Sequence, residues 1–277
     1  MPRRKRVAFQ GERGAFSEEA AVQLLGRNLE WKPRARFQEV FRALARREAD
    51  YAVVPIENSL AGSVHENYDH LLRYRLPILA ETQVRIVHNL VAPPGVKLAQ
   101  VRRVYSHPVA LGQCLKFFES HSRLHGESYY DTAGSVKMLM EHPAGDAAAI
   151  ASAAASRFYR ARILKRSIED DRRNFTRFFL LGRPGRRTPR GRNLKTSIVF
   201  STRNLPGALF RCLGAFALRD INLAKIESRP WRGRPWEYLF YLDFLGAVNE
   251  PRCRRALGHL KELTDLFQVL GCYPRGV

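Results

Sequence analysis

Tyr51-Ala52-Val53-Val54-Pro55-Ile56-Glu57-Asn58-Ser59-Leu60-Ala61-Gly62 is the stretch whose reading sets the fold class. Tyr51 to Ile56 is an apolar, β-branched run of strand length, and a polar, glycine-ended turn follows before a helical pattern through Leu71-Leu72. The same order occurs upstream, where Val7-Ala8-Phe9-Gln10 leads through Gly11-Glu12-Arg13-Gly14 into a helix beginning at Ser17. Ser17 is a capping residue type, Glu18 and Glu19 suit the positive first turn, and Ala20, Ala21, Leu24 and Leu25 supply an apolar face. Downstream, Arg103-Val104-Tyr105 and Ser106-His107-Pro108 precede a helix carrying Leu111, Cys114, Leu115, Phe117 and Phe118. Ala147-Ala148-Ala149-Ile150 reads as a buried strand turning into a tightly packed helix that ends near Tyr159. Alternating strands and helices predict α/β layers on a largely parallel sheet.

From Gly182 to Asn193 the chain becomes rich in Arg, Pro and Gly, the composition of a linker. Beyond it, Thr196–Ser201 reads as a strand, Leu205-Pro206-Gly207 as a turn and Ala208–Leu218 as a helix. Strands over Ile221–Ser228, Glu237–Leu245 and Phe267–Gly271, with a helix over Pro251–Leu263, complete a β-α-β-β-α-β order, the ferredoxin-like split motif.

With 277 residues, 45% apolar and 26% charged, the chain has enough material for two cores. No apolar run reaches the ~18 residues of a membrane span, and no signal-peptide core follows Met1-Pro2-Arg3-Arg4-Lys5-Arg6, so a cytoplasmic protein without a membrane partner is expected. Cys114, Cys212, Cys253 and Cys272 are too scattered to indicate disulfides or zinc. A net charge of +21 invites a nucleic-acid reading, but the Arg residues are spread through both halves, so steering of small anions is the expected role.

The polar groups that carry chemistry sit where strands end. Gly11-Glu12-Arg13-Gly14 is open to two readings, an anion cradle at a helix start or an ordinary tight turn. Pro55 to Ser59 and Ser106-His107-Pro108, with Gln113 further on, lie past strand C-termini, where open α/β sheets bind ligands; capping is the competing reading for both. No Gly-x-Ser-x-Gly elbow supports a nucleophilic hydrolase. His121 and His125 have helical spacing, yet no carboxylate completes a metal set. In Asn174-Phe175-Thr176-Arg177-Phe178, behind the acidic run Glu169-Asp170-Asp171, a cation beside hydroxyl and amide donors among aromatics suits a bound carboxylate.

Taken together, Gly11-x-x-Gly14-Ala15-Phe16-Ser17, Pro55 to Ser59 with Gly62 and Val64, Ser106-His107-Pro108 with Ala110, Leu111, Gln113 and Cys114, Asp131-Thr132-Ala133, Ala148 to Ser152 and Asn174-x-Thr176-Arg177-Phe178 resemble the prephenate dehydratase family. Gly207-Ala208-Leu209 and Glu227-Ser228-Arg229-Pro230 resemble the two signatures of that family's ACT regulatory domain.

The resemblance implies a two-lobed catalytic domain over residues 1–182, similar to periplasmic binding proteins, with lobe crossovers near Ala80 and Tyr159. A linker over 183–194 and an ACT domain over 195–277 would complete the chain. It implies decarboxylating dehydration of prephenate to phenylpyruvate in phenylalanine biosynthesis, a hydro-lyase reaction. Thr176 would donate a hydrogen bond to the leaving hydroxyl and Arg177 would anchor a carboxylate. Ser106 and Gln113 would bind substrate, with Asn58, Ser59, Thr132 and Phe178 lining the cleft.

Gly207, Ala208, Leu209, Glu227, Ser228, Arg229 and Pro230 would bind allosteric phenylalanine in a homodimer or homotetramer. No metal or organic cofactor is implied. Val109 departs from the family, which has Gln there. Neither a chorismate mutase domain nor a plastid transit segment is expected ahead of Val7. Arogenate, the aminated analogue, is the alternative substrate. A non-catalytic phenylalanine sensor and a nucleic-acid binder are the alternatives of other kinds.

Overall fold

The structure, a computed structural model, describes residues 3–185, 193–202 and 204–276. The expected linker falls mainly on residues 186–192, outside the described residues. Two compact units emerge, Met1–Val64 with Gln83–Phe178, and His65–Thr82 with Phe179–Val277. Residues 65–82, expected in the first domain, group with the C-terminal unit.

The first unit opens with β1 (Lys5–Gln10), α1 (Phe16–Leu25), β2 (Leu29–Arg34), α2 (Phe37–Ala45), β3 (Tyr51–Asn58) and the short β4 (Gly62–Ser63). β1 lies parallel to and between β2 and β3, with Val7 opposite both Trp31 and Tyr51. Val7, Ala8, Phe9, Ala52, Val53 and Val54 are fully buried, as a parallel sheet covered on both faces requires. The expected helix at Ser17 starts one residue earlier, with Ala15 as a cap that makes no side-chain bond, so Ser17 is a buried first-turn residue.

The next elements in the chain are α3 (His65–Tyr74), β5 (Ile78–Arg85), β6 (Asn89–Ala92), β7 (Arg103–Ser106), α4 (Pro108–Gly112), α5 (Leu115–Glu119) and β8 (His125–Ser128). They are followed by α6 (Thr132–Glu141), β9 (Ala147–Ala151), α7 (Ala153–Phe158), β10 (Arg162–Lys165) and β11 (Phe175–Leu181). A second sheet in this unit has the order β10-β6-β9-β7-β8, and all of Ala147 to Ala151 is buried at its centre. The chain enters that sheet between Arg85 and Asn89 and leaves it after Lys165, later than the expected crossovers near Ala80 and Tyr159. β10 causes the late exit, because it still pairs with β6 before the chain turns back.

The single helix expected after Pro108 is broken between α4 and α5. Asp170, remote in sequence, accepts from the N–H groups of Leu115 (2.8 Å) and Lys116 (3.0 Å) and so caps a new helix there. Glu12 N–H donates to the Asp131 carboxylate (3.1 Å), so the Gly11–Gly14 turn does cradle an anion, the protein's own. Gly14 has φ +84°, and a Cβ on it would come within 2.4 Å of the Ala155 backbone. His121 and His125 do not share a helix, since one follows α5 and the other opens β8.

The second unit contributes β12 (Leu194–Ser201), α8 (Ala208–Ala217), β13 (Leu223–Pro230), β14 (Tyr238–Leu245), α9 (Pro251–Glu262) and β15 (Leu266–Pro274), the expected β-α-β-β-α-β order. Its antiparallel strands run β13-β14-β12-β15, with Ile198, Phe200, Phe216, Phe244, Cys253 and Leu260 buried beneath α8 and α9. Residues 65–82 belong here for physical reasons. Tyr241 donates its hydroxyl to Tyr68 O (2.9 Å), Arg229 reaches Asp69 (3.3 Å), and buried Lys195 pairs with buried Glu81 (2.6 Å). β15 meets β5 at Gly271 and Ile78, where a Cβ would strike the Ile78 carbonyl at 2.4 Å.

Removing one partner of a buried ion pair leaves the other charge uncompensated, at a cost of about 3–5 kcal/mol. Lys195→Met should therefore lower the unfolding free energy by roughly that amount, and Lys195→Met with Glu81→Met should recover most of it. Urea denaturation of the single and double variants checks this.

Candidate functional site

A cavity of about 450 Å³ opens in the first unit where β3 ends and where α1, α4 and α6 begin. Its wall includes Phe16, Ser17, Asn58, Val64, His88, His107, Val109, Gln113, Tyr130, Asp131, Thr132, Thr176 and Phe178. The volume lies within the range of small-molecule sites, and its place beyond the strand ends is the usual one for an α/β sheet.

A chain of amide hydrogen bonds orients one wall, and its directions can be deduced. Asn58 Oδ1 accepts from the backbone N–H groups of Leu60 (3.0 Å) and Ala61 (2.8 Å). A backbone nitrogen can only donate, so the oxygen faces the turn and the NH2 faces β11. The two hydrogens of that NH2 are shared among three acceptors, Asn174 Oδ1 (2.7 Å), Thr176 Oγ1 (3.0 Å) and, at the longest distance, Phe175 O (3.2 Å). Asn174 must then donate to Gln113 Oε1 (2.8 Å), while Gln113 returns its own NH2 to Asn58 Oδ1 (3.3 Å). Because Gln113 Oε1 is an acceptor, His88 at 2.9 Å carries its hydrogen on Nε2. Thr176 Oγ1 is thus used as an acceptor from Asn58, which leaves the hydroxyl hydrogen to be donated elsewhere.

His88 is 2% exposed, and its Nδ1 has no hydrogen-bond partner among the described residues. Burial pushes its pKa down, against the smaller opposing effects of Gln113 and Glu169, and so favours the neutral ring. Burial likewise lowers His107, whose Nδ1 accepts from Val109 N–H (3.2 Å). The Asp131 carboxyl caps α6 through Gly134 N–H (2.9 Å), and burial pushes its pKa up.

Gln113, Asn58, Thr132, Thr176 and Phe178 all reach the cavity wall. Ser106, Ser59 and Arg177 do not. Ser106 is fully buried and donates to Ile150 O (2.7 Å), tying β7 to β9. Ser59 donates to Arg173 O (2.8 Å) and accepts from Phe175 N–H (3.0 Å), fastening the end of β3 to β11. Arg177 sits between Thr176 and Phe178 on a strand, so alternation turns it to the opposite face, where Glu57 lies 3.9 Å away. His88 and Asp131 are wall or network residues to which sequence reasoning assigned no role, and Asn174, read there as an amide donor to a carboxylate, is engaged with Asn58 and Gln113 instead. For His88 the available signal was a lone polar ring in the apolar run Ile86-Val87-His88-Asn89-Leu90.

The second unit has a smaller cavity, about 150 Å³, lined by Thr202, Asn204, Leu205, Ala208, Leu209, Trp236, Glu237, Tyr238 and Phe240. Ala208 and Leu209 are among the residues expected to hold an effector, and Gly207 precedes them in the left-handed conformation (φ +74°). Glu227, Ser228, Arg229 and Pro230 lie instead along β13, with Glu227 near His65 (3.6 Å) and Arg229 on Asp69. Among the described residues, no helix is long and apolar enough to cross a membrane.

The family model for prephenate dehydratase matches residues 7–186. A relative named arogenate dehydratase/prephenate dehydratase 2, chloroplastic, from Arabidopsis thaliana is 44% identical, over 98% of this chain and 73% of its own length. The crystal structure of prephenate dehydratase in complex with L-Phe from Arthrobacter aurescens is similar with a TM-score of 0.89 and 32% identity, covering 98% of this chain and 90% of that one. A structure described as GqqA, a novel type of quorum quenching acylase, has a TM-score of 0.89 and 33% identity over 98% of both chains.

His88 also makes folding pH-dependent. Its folded pKa lies below the ordinary 6.5, so its contribution is complete above that value and is lost as the pH falls through the depressed one. Wild type should accordingly lose more unfolding free energy than His88→Asn between pH 7.5 and pH 5, measured by urea denaturation at each pH.

Proposed function

Since the chain belongs to the prephenate dehydratase family, we propose that it catalyses the decarboxylating dehydration of prephenate or of its aminated analogue arogenate. The ring carboxylate leaves as carbon dioxide as the C–C bond breaks, its electron pair enters the ring, and the C–O bond to the ring hydroxyl breaks. Aromatisation drives the step, giving phenylpyruvate from prephenate or phenylalanine from arogenate.

The observation that carries this reading is the direction of the Thr176 hydroxyl. Asn58 occupies one of its two lone pairs as a donor, so the hydroxyl hydrogen is not spent on Asn58 and is available to the departing oxygen, and Asn174 and Gln113 hold Asn58 in place. A threonine hydroxyl is a weak acid, so the contribution is a positioned hydrogen bond to developing negative charge. Phe16 and Phe178 restrict water around the ring. In this reading a carboxylate faces the positive N-terminal end of α1, which has no side-chain cap, and Arg177 supports β3 through Glu57.

We assign the C-terminal unit an ACT-type regulatory role. Its cavity at Ala208 and Leu209 would take phenylalanine, the amino acid with which the Arthrobacter protein is in complex. β13 has a strand neighbour on one side only among the described residues and exposes Ile226, which supports pairing with a second copy in a homodimer or larger homo-oligomer. Cytoplasmic placement remains part of this proposal, although the Arabidopsis relative is named chloroplastic. An acylase reading fits the wall less well, because His88 Nε2–H points to Gln113 and no imidazole activates Thr176 among the hydrogen bonds described.

Thr176→Ala should lower kcat on prephenate and arogenate by about a hundredfold or more, the scale of losing one preorganised donor, with the melting temperature retained. Unchanged turnover would remove Thr176 from the mechanism. In the same assay phenylalanine should change wild-type turnover, and enlarging the effector cavity with Leu209→Ala should weaken that response.

A further inference from the structure

We propose that Asp131 is a specificity-determining residue, whose carboxylate takes the substrate's side-chain ammonium and so selects arogenate over prephenate; this rests on the dehydratase reading above. Asp131 belongs to the cavity wall and is 9% exposed. Among the described residues of that wall there is no Lys or Arg, and Asp131 is the one carboxylate. The two wall imidazoles, His88 and His107, are kept neutral by burial. Lys137, on the same helix, is paired with Glu12 (3.2 Å). The described side chains of the wall therefore present one carboxyl group and no Lys or Arg to pair with it.

The carboxylate is also held in a fixed place. Its Oδ2 accepts from the N–H groups of Glu12 (3.1 Å), in the turn after β1, and Gly134 (2.9 Å), in the first turn of α6. Gly11, with φ +101°, leaves room beside Oδ1, since a Cβ there would come within 3.0 Å of that oxygen. Burial disfavours the charged form of the Asp131 carboxyl, and two N–H donors without a cation leave that charge incompletely compensated, so an ammonium arriving beside it would favour the ionised carboxylate. Capping α6 does not demand that charge, because Ser and Asn cap as well as Asp.

The two substrates differ at one carbon. Prephenate has a keto group there, whose lone pairs would oppose those of Asp131, and it brings two negative charges to a wall without side-chain cations. Arogenate has an ammonium with three donors, which a buried carboxylate binds through a charge-assisted hydrogen bond, and its net charge is one unit less negative. Selection of this kind rejects the keto compound by leaving a buried charge unpaired, the strongest form of discrimination available to a polar site. The bonds that break are the same for both substrates, so the effect falls on binding.

The test is kcat/KM on arogenate and on prephenate for wild type, Asp131→Asn and Asp131→Ser, both of which keep a capping side chain, with circular dichroism to verify folding. Wild type is expected to favour arogenate, and each variant to reduce the arogenate-to-prephenate ratio at least tenfold, mainly through KM for arogenate. A ratio that stays within twofold of wild type in a folded variant overturns the proposal, as does a wild type that favours prephenate, whether or not the variants fold. A wild type that turns over neither substrate refutes the dehydratase reading, and this inference with it.

Discussion

The two backbone N–H groups of Leu60 and Ala61 that hold the Asn58 oxygen fix the hydrogen-bond directions of the cavity wall. Once that oxygen faces the turn, Asn174, Gln113, His88 and Thr176 each have one allowed orientation. The turn after β3 is therefore more than a connection. It converts a fixed backbone polarity into a fixed side-chain polarity several residues away, and buried networks of this kind specify one arrangement because a half-satisfied alternative is costly. The price is visible at His88 Nδ1, a buried acceptor without a partner among the described residues.

The acidic run 169–171 provides the second support. Glu169 accepts from His88 N–H (3.0 Å), Asp170 starts α5, and Asp171 pairs with Arg173 (3.1 Å). By ending α4 at Gln113, Asp170 frees that side chain from a continuous helix and lets it enter the network. Three adjacent carboxylates thus act on three different pieces of backbone or side chain, and none of them belongs to the cavity wall.

The second unit depends on contacts with residues 65–82, which interrupt the first unit in sequence. Val64 lines the cavity of the first unit and His65 begins α3, whose Asp69 is held by Arg229 and Arg232 (3.1 Å). In the Glu227-to-Pro230 motif, read from sequence as one side of an effector site, Glu227 and Arg229 are thereby engaged with α3, while Ser228 and Pro230 are exposed.

How much of this was legible beforehand varies with the distance over which the information acts. The α/β alternation, the β-α-β-β-α-β order with its four strands, and β1, β3, β7 and β9 follow from local apolar periodicity, whereas β2, β4, β5, β6, β8, β10 and β11 are not read from it; the wall positions of Asn58, Gln113, Thr132, Thr176 and Phe178 follow from motif resemblance. The opposite facing of Thr176 and Arg177 was also present in the sequence, in the two-residue period of a strand, although their adjacency suggested a joint role. Only the tertiary structure decided that Ser59 and Ser106 serve the backbone, that Asp170 splits a helix, and that Asp131 stands in a wall without cations. These outcomes depend on partners distant in sequence, such as Ser106 with Ile150 and Asn58 with Thr176. A hydrogen bond or ion pair acts over a few ångströms, and residue order alone does not state which groups come that close.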